Sequence, residues 1–431
     1  MNVAGAVGAD LAPREWPYLT ADVPPVAGVI RRYYEDFVVD EISLYEPEGH
    51  GDHTFFRIEK AGLSTMKAVS DIARALGVRP REIGVAGLKD AHAVTRQTLS
   101  VEHVDPARVL ALELPRIRVL SATRHPRKLR TGHLAGNRFR IRVRDVDPAR
   151  LADVRRVLAV LARRGVPNYF GPQRFGRRGD TAAVGRALVR ARWDDAVALI
   201  AGRPMAADTG EVRLARERFD AGDYDGAAPL WPPAYRHVAR LCRAMARSRG
   251  DARRALHAIE RRMLRFYVSA YQSWLFNEVL ARRVDELDRV RTGDLAYRHD
   301  TGGVFLIEDE AAEQPRAERF EISATGPLPG PGMRVPEGWP AAVERDVLER
   351  AGARLDEFPA TGPFRAPGTR RPLRFPIGEA EVESGTDDDG AYFEFRFTLP
   401  PGAYATAVLR EVGKDRITTA REDGDGVATG G

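Results

Sequence analysis

Apolar residues change their spacing several times along the chain, and each change marks a new element. GVIRRYYEDFVVDEISLYE (28 to 46) and HTFFRIEKAG (53 to 62) carry aromatic and β-branched residues at a spacing of two, which predicts two strands. STMKAVSDIARALGV (64 to 78) moves to a helical period, with Met66, Val69, Ile72, Ala73 and Leu76 on one face, Ser64 as N-cap and Gly77 as stop. GVAGLKDAHAVTRQTLSVE (84 to 102) begins apolar, breaks at glycine and polar residues, and alternates again from Thr98, so a loop is expected between a short strand and a second element. IRVLSATRH (117 to 125) and NRFRIRVRDV (137 to 146) read as strands, the second with Phe139, Ile141 and Val143 on one face and four arginines on the other.

From Asp147 the pattern becomes helical and breaks at Gly165-Val166-Pro167, after which helical segments dominate to about Thr361, including 251 to 284. Strands return in RRPLRFPIG (370 to 378) and AYFEFRFTLP (391 to 400), with DDDG (387 to 390) as a hairpin tip and ATAVLREV (405 to 412) as a helix. The tail REDGDGVATGG is expected to be disordered. A sheet region at both ends around a helical middle predicts an α+β protein with a helical domain inserted into a discontinuous sheet domain.

Length supports this division, since 431 residues suffice for two or three domains. With 43% hydrophobic and 30% charged residues the chain is neither disordered nor fibrous. A single cysteine, Cys242, rules out an internal disulfide and any cysteine-rich zinc or iron-sulfur site. The opening MNVAGAVGADLAPREW lacks the pattern of a secretory leader and no run is long enough to cross a bilayer, so a cytoplasmic protein without membrane attachment is expected. Net charge is +6, which favours polyanion partners. Of 67 basic residues only five are lysines (Lys60, Lys67, Lys89, Lys128 and Lys414), so each lysine in this arginine background draws attention.

The familiar cofactor signatures are missing: there is no GxxxxGK[ST], HExxH, GxSxG or strand-to-helix GxGxxG, and His50, Asp52 and His53 make only a loose cluster in a glycine turn. In VAGLKDAHAVTRQ (85 to 97), by contrast, Asp90 stands next to Lys89 just after a glycine, and a carboxylate beside an ammonium group suits a nucleophile or general base. From this segment alone the more economical reading is that Lys89 and Asp90 cap a helix running from Ala91. RHPRKLRTGHLAGNRFRIRVR (124 to 144) holds eight cations and no acid, a candidate phosphate track with Phe139 available to stack a base. The stretch 236 to 265 repeats the theme with ten arginines against Asp251 and Glu260. SAYQSWLFN (269 to 277) reads as core, and LPPGAYATAVLRE (399 to 411) as a turn feeding a helix.

Taken in order, EDFVVDE (35 to 41), AGLKDAHAVTRQ (86 to 97), RKLRTGHLAGNRF (127 to 139), PNYFGPQRFG (167 to 176), SAYQSWLFN and LPPGAYATAVLRE closely resemble the TruD family of pseudouridine synthases. The resemblance implies the pseudouridine synthase catalytic fold, a bent mixed sheet with flanking helices. Residues 1–166 and 362–431 would form it, with a mostly helical TRUD-type domain inserted at 167–361. It also implies that Asp90 is the catalytic nucleophile, that Lys89 positions or neutralises it, and that Asn137 and Phe139 match an NxF motif whose asparagine orders the loop and whose ring stacks on the uracil. Arg31 stands where some members have lysine, and Glu41 follows the EDF segment with either a structural salt bridge or a substrate role. With Gln97 these residues make up the implied substrate-binding set. The implied substrate is tRNA, at uridine 13 of the D arm, with other RNAs for some members, and neither a cofactor nor an obligatory protein partner is called for. Two other classes are weaker: a non-catalytic RNA binder would not need the GLKD aspartate, and an S-adenosylmethionine methyltransferase would need a glycine-rich loop that is missing.

Overall fold

The computed structural model describes Leu11 and residues 15–420, so the expected disorder of the tail beyond Ala420 and the opening segment before Leu11 lie outside the described residues. Among the described residues the chain divides into two compact units, one of Tyr18–Val166 with residues 375–420, the other of Pro167–Arg374 with Leu11 and residues 15–17, so the expected boundaries at 1–166 and 362 shift to 18–166 and 375.

The first unit is built on a mixed sheet. Its strands are β1 (Gly28–Ile30), β2 (Phe37–Ser43), β3 (His53–Ala61), β4 (Gly84–Val85), β5 (Val94–Glu102), β6 (Ile117–His125), β7 (Leu134–Arg144), β8 (Gly378–Asp387), β9 (Gly390–Leu399) and β10 (Ile417–Thr419). The main path runs β8-β9-β7-β2-β5-β3-β6. Neighbours along it are antiparallel except β2 and β5, while β1 joins β7 antiparallel and β10 parallel, and β4 pairs with β5.

Segment 28–46 is therefore not one strand. The chain kinks at Arg31, whose φ of 61° is left-handed, and a short 3-10 turn precedes β2. Alternation cannot reveal such a kink, because both pieces keep a period of two. Helix Thr65–Leu76 forms where its caps predict: the Ser64 hydroxyl accepts from the Lys67 amide at 3.2 Å, and Gly77 ends it with φ 70°. Its buried face is Thr65, Ala68, Val69, Ile72, Ala73 and Leu76, whereas Met66 is 59% exposed. That face packs on Phe56 and Ile58 of β3 and Leu99 and Val101 of β5.

A second core lies along β7 and β9. Phe139 pairs in register with Phe397, Ile141 with Phe395 and Val143 with Phe393, all of them buried. The hairpin tip at 387 to 390 is present, with Asp387 opposite Gly390. Strand β8 itself has no pattern to announce it, since Val382 is its only fully buried position.

The second unit contains helices Thr181–Val189, Trp193–Ala201, Gly210–Asp220, Arg236–Arg247, Arg261–Arg283 and Gly338–Arg350. It also holds a four-stranded antiparallel sheet, in the order Val304–Leu306, Leu295–Arg298, Ile322–Leu328, Thr369–Pro372, which the helical reading of this region did not anticipate. Pairing of Thr369–Pro372 with Ile322–Leu328 carries this unit through to Arg374. Helices Thr181–Val189 and Arg261–Arg283 touch so closely that a Cβ on Gly185 would lie 2.1 Å from the Tyr267 carbonyl oxygen. SAYQSWLFN is core as expected: Asn277, fully buried, accepts from the Phe170 amide at 2.9 Å and donates to its carbonyl at 3.0 Å, locking the PNYFGPQRFG segment.

The β7–β9 core should be the more sensitive to truncation. Phe395→Ala should cost about 3 to 5 kcal/mol, read as a lowered thermal midpoint, and a shift equal to that of an exposed-position control such as Leu120→Ala would contradict this packing.

Candidate active site

The GLKD segment is neither strand nor helix. It belongs to the loop between β4 and β5, and β5 begins at Val94, so no helix runs from Ala91 and the capping explanation of Lys89 and Asp90 falls. What holds the loop is a set of contacts from beneath. The Thr65 hydroxyl, at the first turn of its helix, accepts from the Lys89 amide at 2.8 Å and donates to Oε1 of Gln97 at 2.9 Å. Gln97 is fully buried and thus sits under the loop, not on its surface.

Adjacent side chains then part company. Lys89 turns inward, and its ammonium meets Oε2 of Glu41 at 2.6 Å with the two side chains 5% and 1% exposed. The other Glu41 oxygen accepts from the Thr98 amide at 3.0 Å, which ties β2 to β5 and to the loop at once. Gly87 makes room, because a Cβ there would lie 3.3 Å from the Lys89 Nζ. Asn137 stands directly across the β2–β7 ladder from Glu41, and its Oδ1 is buried without a hydrogen-bond partner. The salt-bridge reading of Glu41 is therefore what the geometry displays, with Lys89 as the partner.

Asp90 turns outward, and its side chain is 53% exposed. Its cation is Arg31, whose guanidinium reaches Oδ2 at 2.7 Å. The expectation that Lys89 is the group that neutralises Asp90 is replaced by this pairing, because Lys89 is committed to Glu41. The left-handed backbone of Arg31 aims the contact, and a non-glycine residue held at φ 61° stores roughly 1 kcal/mol or more that its surroundings must offset. The same guanidinium lies 4.2 Å from the Phe37 ring centroid, Phe37 meets Phe139 edge to face at 6.3 Å, and Phe139 lies 5.4 Å from Phe397. An aromatic row thus leads from Arg31 into the sheet. Phe139 is mostly inside it, at 7% exposure.

The family model for tRNA pseudouridine synthase D (TruD) matches residues 15–412. The chain belongs to the TruD family. Relatives called tRNA pseudouridine synthase D include that of Geobacter sulfurreducens, 47% identical over 397 residues and covering 92% of this chain and 96% of the relative. The one from Geobacter metallireducens is 48% identical over 398 residues, with 92% and 97% covered. A solved structure described as a tRNA pseudouridine synthase D from Methanosarcina mazei superposes with a TM-score of 0.83 at 28% identity, covering 95% of this chain and 98% of that one.

One member of this constellation escaped the sequence reading. Lys60, on β3, is 1% exposed and donates to the carbonyl oxygens of Leu63 at 2.5 Å and Asp90 at 3.0 Å, so an ammonium group holds the main chain of the loop at Asp90 itself. The signal was available, since Lys60 is one of the five lysines. Burial pushes its pKa down from 10.5 to about 8, opposed by the charge of Asp90 and aided by that of Lys89.

The arginines of β7 are not a free phosphate track. Arg140 and Arg142 pair with Glu394 at 3.3 and 2.8 Å, Arg138 faces Glu379 at 3.7 Å, and Arg144 is buried between Asp36 at 2.8 Å and Asp387 at 3.0 Å. The segment lacks acids, but neighbouring β8 and β9 supply them from over 200 residues away. Strand alternation also puts Phe139 on the face opposite these arginines, so β7 cannot offer a ring and a basic surface together.

Lys60 makes stability depend on pH in a defined direction. Its folded pKa lies below the unfolded one, so the cost of burying its charge is present in full below about pH 8 and is relieved as pH rises toward 10.5. The wild type should gain stability relative to Lys60→Met between pH 7.5 and 10, by about 1 to 3 kcal/mol in urea titrations, and a gap that stays constant across that range would contradict it.

Proposed function

We propose that this chain converts a uridine of tRNA into pseudouridine with Asp90 as the reacting carboxylate. The observation that carries the reading is an exposed carboxylate gripped on one oxygen by Arg31, on a loop held from below by Lys60, Thr65 and the Lys89–Glu41 pair. A group so held is pre-positioned, and the other oxygen remains available to a substrate.

The reaction breaks the N1–C1′ bond, rotates the base and joins C5 to C1′. C5 gives up a proton and N1 gains one, so atoms and electrons balance without a cofactor. Asp90 acts at the sugar or the base, and Arg31 stabilises its negative charge before attack and after release. The target base leaves its stack to reach the carboxylate, with Phe139 and Phe37 as the aromatic floor beside Arg31 and with Asn137, across the ladder from Glu41, ordering the loop from the neighbouring strand. Uridine 13 in the D arm is the proposed position. The unit of Tyr18–Val166 with the segment after Arg374 serves as the catalytic domain, and Pro167–Arg374 as the inserted one.

Tritium release from tRNA made with 5-tritiated uridine tests this, since forming the C5 bond expels that hydrogen. The wild type should release tritium and Asp90→Asn should not, while binding tRNA within a few fold of the wild type. Release by both would remove Asp90 from the role, and tight binding without release by either would make the chain an RNA binder.

A further inference from the structure

The inserted unit carries a charge that the isomerisation does not use. Between Arg236 and Arg265 ten arginines face two acids, Asp251 and Glu260, a net +8 in a chain whose total is +6, so all the other residues together come to −2. All ten arginines are exposed. Among the described residues a carboxylate pairs with only one of them, Arg240, through Glu260 at 2.7 Å. This is the reverse of β7, whose arginines are matched by acids on adjoining strands, so arginine-rich composition alone does not account for it.

The surface is also organised. Helix Arg236–Arg247 places Arg236, Arg240, Arg243 and Arg247 on one face and buries Val238, Leu241, Cys242 and Met245 on the other. Arg236, Arg240 and Arg243 line an open cleft with Trp231 and Glu260. A second open cleft, lined by Arg261, Arg265 and Arg365, begins at the next residue in the chain. Guanidinium groups spaced along open clefts suit phosphate oxygens, which they can bind two at a time. A lipid surface would call for apolar anchors as well, and none of the large exposed apolar side chains falls between 236 and 265.

We propose that this arginine surface binds the ribose-phosphate backbone of the RNA substrate, as a contact separate from the one that takes the target nucleotide. The proposal rests on the reading of the chain as a tRNA-modifying enzyme. Its contribution is electrostatic and independent of sequence, so it sets affinity and salt dependence.

The test is the variant carrying Arg243→Gln, Arg247→Gln, Arg261→Gln and Arg265→Gln, chosen because all four side chains are exposed, with the thermal midpoint checked against the wild type. The dependence of log Kd for tRNA on log salt concentration should flatten by about 0.7 to 0.9 per lost phosphate contact, so by about 3 in all. An unchanged slope, with a wild type that still modifies tRNA, would overturn this proposal and leave the proposed function standing. A wild type that neither binds nor modifies tRNA would remove the reading beneath it. Weakened binding to anionic phospholipid vesicles with unaltered tRNA binding would assign the surface to a membrane and overturn the proposal too.

Discussion

The Lys89 ammonium and the Glu41 carboxylate meet at 2.6 Å with almost none of either side chain in water. A buried pair of this kind recovers its desolvation cost only when geometry is good and the remaining polar atoms are satisfied. Here the second Glu41 oxygen takes the Thr98 amide, and the Lys89 main chain is held by Thr65. The consequence reaches the next residue. With Lys89 drawn inward and its amide fixed, Asp90 faces out, where Arg31 meets it. Lys60 completes the support from below by donating to the Asp90 carbonyl. Three cations thus surround one carboxylate in different capacities: one holds its oxygen, one holds its main chain, and one is spent on shaping the loop.

How much of this could be read from residues alone depended on whether the information was local. Helix Thr65–Leu76 was legible because its caps and period lie within fifteen residues, and β7 because Phe139, Ile141 and Val143 alternate cleanly. Asp90 stood out through its motif. The direction of Lys89 was not legible, since its partner is 48 residues away on β2, and neither was the kink at Arg31, a backbone angle that any arginine conceals. The neutralisation of the β7 arginines depends on Glu394 and Asp387, separated from them by the whole inserted unit. Strand β8 and the four-stranded sheet of the second unit were missed for a different reason, the lack of alternation: β8 has one buried residue and the strand Val304–Leu306 none, while Ile322–Leu328 is buried at six of its seven positions.

Charge is consequently distributed in two ways. On the sheet, arginines are cross-strand partners of acids and contribute to register. On the helices between 236 and 265 they are left in water almost without carboxylates. A polyanionic substrate distinguishes these two populations, because only the second has unspent charge to offer it.

The most direct measurement is a structure of the enzyme bound to tRNA in which the target uridine is replaced by 5-fluorouridine, to slow or halt the reaction after the base has entered. The account predicts that the ring or its C1′ lies in van der Waals contact with the Asp90 carboxylate, with Arg31 still on the opposite oxygen and the base against the Phe37 and Phe139 edge. A fluorinated base seated out of reach of Asp90, with the Arg31 pair undisturbed, would contradict it.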